Sequence, residues 1–355
     1  MKFDFCIGNP PYQDEQVSRE IETSAKNYAP QIYYVFMDEA YKVANTVELI
    51  HPGRFLFNAG STPKAWNEKM LSDTHLKVLH YESDSKKVFN NVSIPGGVAI
   101  TYRNAEKEFG EIGIYSSFPE LNSIKHKVQS HKDFASMEPI VITRTIYRLT
   151  PKLHEEHPEA LSQLSEGHAY DMSSNIFDRL PQIFFAECPE PKEDYIRIYG
   201  RQEGERTYRY VKREYVKDVF SLDKYKVVLA QSDGASGTIG NPIPARIIGN
   251  PVIQGPGIGT TESYISIGGY DTMQEADSVM KYIKTRFART LVSVLKVTQA
   301  IPPGKWKYVP IQDFSKNSDI DWSKSIFDID LQLYRKYNFS DDEIAFIESH
   351  VKEME

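Results

Sequence analysis

Phe3-Asp4-Phe5-Cys6-Ile7-Gly8-Asn9-Pro10-Pro11-Tyr12 is the stretch on which the fold turns. Its apolar part, Phe3 to Ile7, predicts a short strand, and the two prolines close it, because proline fixes φ and has no N–H to give a ladder. The polar tetrapeptide that follows then sits on a loop at a strand's carboxyl end, where open α/β sheets bind ligands. An Asn9 side chain and a Pro10 carbonyl can accept hydrogen bonds from both hydrogens of an exocyclic amine while the Tyr12 ring stacks on the base, which points to a pocket for a flipped-out adenine. An amine held in that way is pushed toward tetrahedral geometry, so its lone pair can attack a methyl group without a strong base. The bland alternative is an ordinary turn with a tyrosine behind it.

Outward from this stretch, Ile32, Phe36, Ala40 and Val43 have helical spacing, and Val47–Ile50, Leu76–Tyr81 and Val98–Tyr102 read as further strands. From about Phe118 the pattern changes to short runs broken by proline and glycine. There Tyr195–Tyr199, Tyr225–Ala230 and Tyr264–Ile267 read as strands and Ser232–Pro244 as a glycine-rich loop. Thr272-Met273-Gln274-Glu275 is a capping box for one helix carrying Val279, Met280, Ile283, Phe287, Leu291, Val294 and Leu295 on one face, with Lys281, Lys284, Arg286, Arg289 and Lys296 around the rest. Ser340-Asp341-Asp342-Glu343 opens a second, acidic helix. The expected fold is α/β at 1–117, a mixed, mainly β domain at 118–312 and an acidic helical tail at 313–355.

A net charge of −7 over 355 residues hides an uneven distribution. Tyr195–Lys217 carries seven basic residues (Arg197, Arg201, Arg206, Arg209, Lys212, Arg213, Lys217) against three acids, with five tyrosines interleaved. Lys281–Lys307 has seven basic residues and no acid, whereas Asp313–Glu355 has eleven acids and five bases. Local basic surface is what phosphate contacts need, so both basic windows are candidates for DNA contact, with a solvated face as the alternative.

The strand, glycine and Asn-Pro-Pro-Tyr in this order resemble motif IV of the adenine-N6 DNA methyltransferases of restriction-modification systems. Tyr33–Ala40 and Val47–Leu56 resemble the helix and strand that follow the motif in those methylases. Val88-Phe89-Asn90-Asn91-Val92 and Gly97–Tyr102 resemble the later segment whose aromatic residue packs on the flipped base, which makes Phe89 the second wall of the pocket. Thr261–Tyr264, Lys281–Phe287 and Tyr308–Ile311 resemble their target-recognition half. The resemblance implies a Rossmann-like methyltransferase sheet, S-adenosylmethionine as methyl donor and double-stranded DNA as substrate. Asn9 and the Pro10 carbonyl would orient the amine, Pro11 would stiffen the loop, and Tyr12 and Phe89 would hold the ring. Arg197, Arg201, Arg206, Arg209, Lys212 and Arg213 would contact DNA.

Such enzymes place the S-adenosylmethionine site upstream of this loop, and here eight residues precede Asn9. The expectation is a partial Rossmann-like sheet that needs another polypeptide to supply the cofactor-binding half, with a restriction endonuclease as a further companion. The alternative is a non-catalytic DNA-recognition or assembly subunit, or a truncated remnant, of such a system.

Other classes find little support. Cys6 and Cys188 are the two cysteines and have no metal-ligand pairing around them, so neither a zinc site nor a disulfide framework is expected. No run approaches the ~20 apolar residues of a membrane span, and Met1-Lys2-Phe3-Asp4 does not read as a signal peptide; the cytoplasm of a prokaryote is the expected location. The glycines at 234, 237 and 240, and at 255, 257 and 259, lack the spacing of a P-loop. Glu190-Pro191-Lys192 has no matching upstream carboxylate for a nuclease site.

Overall fold

The computed structural model describes residues 3–13, 30–57, 62–90, 94, 96–296 and 298–355; Met1, Lys2, Asn91 and Val92, quoted above, lie outside the described residues. The chain forms two compact units, Met1–Pro119 and Glu120–Glu355.

In the first unit, β1 (Phe3–Gly8), α1 (Tyr33–Val43), β2 (Ala44–Pro52), α2 (Lys64–Leu71), β3 (Leu76–Glu82) and β4 (Val98–Asn104) follow in order. The strands make one four-stranded sheet of order β1-β2-β4-β3. β1 runs parallel to β2, while β4 is antiparallel to both β2 and β3. Alternation along β1 sends Cys6 into the core with Val47, Leu49, Tyr33, Met37, Phe55 and Trp66. Phe3, Phe5 and Ile7 fall on the opposite face, beside Ala44, Thr46 and Glu48 of β2, and are 58%, 71% and 79% exposed. Among the described residues β1 is an edge strand, so its outer N–H and C=O groups have no strand partner there.

The covered face is densely aromatic. Tyr33 stacks on His51 with centroids 5.6 Å apart, and Phe55 meets Trp66 edge-on at 5.3 Å. His51 Nδ1 lies 3.0 Å from the Pro52 carbonyl and Nε2 lies 2.8 Å from Thr101 Oγ1. A carbonyl only accepts, so Nδ1 carries the proton and Nε2 accepts from the threonine. Full burial drives the His51 pKa down to about 4, against a weaker upward pull from the Pro52 carbonyl.

The second unit opens with α3 (Pro119–Gln129) and continues through β5 (Val141–Ile142), α4 (Pro151–Glu156), α5 (Ala160–Gln163), α6 (Ile176–Arg179), β6 (Tyr195–Gln202), β7 (Glu205–Lys212), β8 (Tyr225–Ala230), β9 (Val252–Gln254), β10 (Ile258–Thr260) and β11 (Tyr264–Tyr270). It ends with α7 (Met273–Lys284), α8 (Arg286–Ser293), α9 (Ile326–Lys336) and α10 (Asp341–His350). Two sheets form, of order β10-β6-β7 and β5-β11-β8-β9. Even without α9 and α10, helices occupy more of this unit than strands do, so the part expected to be mainly β is mixed. One core packs Ile196, Ile198 and Val211 against Phe177, Leu180, Phe184 and Tyr147. Gly200 lies on that buried face because a Cβ there would meet the Phe177 ring at 2.6 Å.

The helix expected from Thr272 to Leu295 is two helices, broken at Thr285. Thr285 takes extended geometry and its side chain accepts from the Ala288 N–H, while the buried Asp330 carboxylate accepts from the N–H groups of Arg286 and Phe287 at 2.9 and 2.8 Å. Three new helix-start donors are thereby satisfied where an unbroken helix would have needed none. Nor is Lys281–Lys307 a continuous basic surface, because Arg289 and Lys296 turn inward. Arg289 is fully buried and donates to the Arg246 and Lys352 carbonyls at 3.0 and 2.6 Å, and the buried Lys296 bonds Ser236 and the Gly237 carbonyl. The second capping box, at Ser340 and Glu343, forms as expected.

Candidate active-site loop and nucleic-acid interface

β1 ends at Gly8, whose ladder partner is Leu49, and the chain leaves the sheet through Asn9 and Pro10. Asn9 and Pro11 are exposed, Pro10 and Tyr12 half-buried. No hydrogen bond among the described residues engages the Asn9 side chain, so its amide oxygen is open to a donor from outside. The loop is anchored behind: the Tyr12 carbonyl accepts from the Ile32 N–H at 3.1 Å, and Gln13 bridges to Gln31. The Tyr12 ring packs against the first unit's core, and burial pushes its hydroxyl up to about 12. It therefore stays a neutral phenol at physiological pH.

Phe89, distant in sequence, is brought to Tyr12. The two rings meet edge-on, with centroids 6.5 Å apart and planes at 64°. Phe89 is placed by a tight turn at Ser85–Lys87 that Asp84 caps through the Lys86 N–H. Its own N–H bonds the Ser85 carbonyl at 2.8 Å, and the buried Ser85 hydroxyl accepts from the Ile94 N–H. Asn9, Pro10, Pro11, Tyr12 and Phe89 thus lie around the carboxyl end of β1, with the exposed Asn9 amide and the paired Tyr12 and Phe89 rings among them.

In the second unit the basic, tyrosine-rich window becomes a hairpin. Glu203 and Gly204 both have positive φ (51° and 86°), the two-residue turn whose twist suits paired strands. The register Tyr195↔Lys212, Arg197↔Tyr210, Tyr199↔Tyr208 and Arg201↔Arg206 puts only tyrosines and cations on one face. The Arg197 guanidinium lies 5.3 Å over the Tyr208 ring, and Tyr199 packs on Tyr208 and Tyr264 at 5.0 and 4.7 Å.

The six candidate DNA contacts divide. Arg197, Arg201 and Arg206 share this face, are exposed, and make no ion pair among the described residues. Lys212 is on the same face but pairs with Glu156 and Glu214 at 3.3 and 3.5 Å. The Tyr215 hydroxyl, then Lys152 and Lys212, hold Glu156 down to about 2, so its charge persists. Arg209 is on the opposite face and bonds Gln202, Thr207 and the Tyr208 carbonyl. Arg213 is held by Asp223 and Asp218 at 2.6 and 3.3 Å. The second strand of the hairpin was not expected, although Gln202-Glu203-Gly204-Glu205 between two tyrosine-arginine runs is a turn signal.

Among the described residues no group of histidine, cysteine or carboxylate side chains could hold a metal, and no helix is long and apolar enough to cross a membrane.

Comparison with known proteins bears on the N-terminal part of the chain. Residues 1–89 match the family described as Eco57I restriction-modification methylase. This N-terminal segment is therefore similar to restriction-modification methylases. No curated protein sequence matches the chain. Among solved structures, the type IIG restriction endonuclease BpuSI aligns at 8% identity and a TM-score of 0.33, over 91% of this chain and 48% of that one. The type IIL restriction-modification enzyme MmeI, solved in complex with DNA, aligns at 8% identity and a TM-score of 0.31, over 97% of this chain and 56% of that one. The chain spans about half the length of each.

Proposed function

We propose that this chain takes part in adenine-N6 methylation of double-stranded DNA within a restriction-modification system. The observation that carries this is the Asn9–Tyr12 loop at the carboxyl end of β1, with an unengaged Asn9 amide and Phe89 brought beside Tyr12. The Asn9 oxygen and the Pro10 carbonyl accept the two hydrogens of the adenine amine, drawing the nitrogen out of conjugation with the ring. Pro11 keeps the loop from collapsing onto its own backbone. Tyr12 and Phe89 hold the extruded ring, at about 1 to 3 kcal/mol per stacked base. Arg197, Arg201 and Arg206 on the hairpin contact the DNA backbone.

S-adenosylmethionine, when bound, supplies the methyl group. No described residue is assigned to it: the side chains at the loop fit the acceptor amine rather than a sulfonium donor. The unpaired edge of β1 and the exposed Phe3, Phe5 and Ile7 beside it fit the addition of a further polypeptide segment, and we propose that this segment carries the cofactor site. A restriction endonuclease activity belongs to the same system in this proposal.

A titration tests the division of labour. Labelled S-adenosylmethionine should bind weakly or not at all to the isolated chain and should bind once a cofactor-binding methylase segment is added. Micromolar binding by the isolated chain as a monomer would overturn it.

A further inference from the structure

The tip of the β6–β7 hairpin closes one side of a cavity of about 490 Å³ whose other walls come from the ends of β8 and β11 and from Arg144 and Arg246. Its charged lining is four arginines (Arg144, Arg201, Arg206, Arg246) and two carboxylates (Asp233, Glu262). Asp233 is spent on Arg246, at 2.8 Å. Three guanidinium groups therefore face one remaining carboxylate, and neither Arg144, Arg201 nor Arg206 makes an ion pair among the described residues.

The pairing register makes this costly. Arg201 and Arg206 are direct cross-strand partners next to the turn, and like charges in that relation destabilise a hairpin. Arg201 has a partial remedy, a 2.9 Å bond to the Gly204 carbonyl. Both guanidinium groups also lie close to the buried Tyr264 at the cavity wall: burial pushes its hydroxyl up to about 12, and Arg206 and Arg201 pull against that rise. Two facing cations beside a cavity that is short of acids call for an anion between them, and planar guanidinium forks match a tetrahedral oxyanion with paired donors.

We infer that this cavity is a phosphate site, in which Arg201 and Arg206 grip one phosphate from two sides and Arg144 adds a third donor. The site stands on its own geometry; only its natural ligand, a backbone phosphate of DNA, rests on the function proposed above. Arg144 would thereby join the DNA-binding residues, and the site would fix the hairpin's register on the duplex without reading bases.

The experiment uses the full chain and inorganic phosphate, read by ³¹P line broadening at constant ionic strength. Wild-type protein should broaden the line saturably. Arg201→Gln/Arg206→Gln should lose at least tenfold in phosphate affinity, and Arg206→Lys should keep part of it. Arg209→Gln, on the other face, should behave as wild type and controls for nonspecific charge loss. Equal broadening by wild type and the double variant, or none with wild type, would overturn the site. Adding a short DNA duplex should then restore the narrow line by displacing the phosphate. Broadening that survives saturating duplex would overturn the backbone assignment and give the site to free phosphate. None of these readings needs a methyl donor, so the site and the methylation proposal fail separately.

Discussion

The two units each leave a row of strand side chains exposed, and the chemistry of the two rows is opposite. On β1 the outward side chains are Phe3, Phe5 and Ile7. On β6 and β7 they are Arg197, Arg201, Arg206 and the rim of Tyr208. An exposed apolar row gains most by leaving water, so it asks for protein. An exposed cationic row with stacked tyrosines gains by releasing counterions, so it asks for a polyanion. The same alternation of a strand thus builds two kinds of docking surface, and the side chains on the outward face decide which.

The largest expected effect is on stability and has opposite signs in the two units. In the first, His51 is held neutral with a pKa of about 4 against an ordinary value of 6.5. Between those values the unfolded chain binds more protons, so the unit should lose about 3 kcal/mol as pH falls through this window. In the second, burial raises Asp330 from 3.8 to about 7 despite the N–H groups of Phe287 and Arg286. There the folded form binds more protons, so that contribution is present below pH 4 and is lost as pH rises to 7. Hydrogen exchange resolved by unit across pH 4 to 7 should show the two slopes, with His51→Gln flattening the first and Asp330→Asn the second. Parallel slopes in both units would refute the contrast.

Next in size, Phe5→Asp and Ile7→Asp should each weaken assembly with a cofactor-binding segment by about 2 kcal/mol, roughly thirtyfold, at unchanged DNA affinity. Weaker DNA binding instead would mean the apolar face meets nucleic acid. Arg201→Glu with Arg206→Glu should do the reverse, lowering DNA affinity about tenfold or more and reducing the salt slope by roughly 1 to 2 while assembly is untouched. Smallest is Arg209→Gln, expected to change DNA affinity by less than about twofold, since that side chain serves Gln202 and Thr207 on the hairpin's other face. An Arg209 effect equal to that of Arg206 would erase the distinction between faces.

How legible all this was depended on the range of the forces involved. β1 and its loop could be read because an apolar run meeting two prolines is a local signal. The helix at 33–43 and the strand at 225–230 were legible for the same reason. The β7 strand was not, because Arg206, Tyr208, Arg209 and Tyr210 place polar and aromatic groups on both faces and blur the twofold period. The break at Thr285 was invisible in a continuous apolar stripe, since the carboxylate that receives the new helix start is Asp330, far along the chain. Arg289 and Lys296 read as surface cations because the carbonyls that let them be buried come from Arg246, Lys352 and Gly237. At the loop, Asn9 and Tyr12 carried their own signal, while Phe89 entered only through the family resemblance. Arg144 and Tyr264 gave no sign of sharing a cavity.

The central claim is that the loop at the end of β1 presents an adenine amine for methylation. Its most direct test is mass-spectrometric base analysis of duplex DNA incubated with S-adenosylmethionine, this chain and a cofactor-binding methylase segment. The account predicts N6-methyladenine with the wild-type chain, a loss of at least about a hundredfold with Asn9→Ala at nearly unchanged DNA affinity, and a milder loss with Tyr12→Ala because Phe89 still offers a ring. Methylation of cytosine, or an Asn9→Ala chain that forms N6-methyladenine at the wild-type rate, would contradict it.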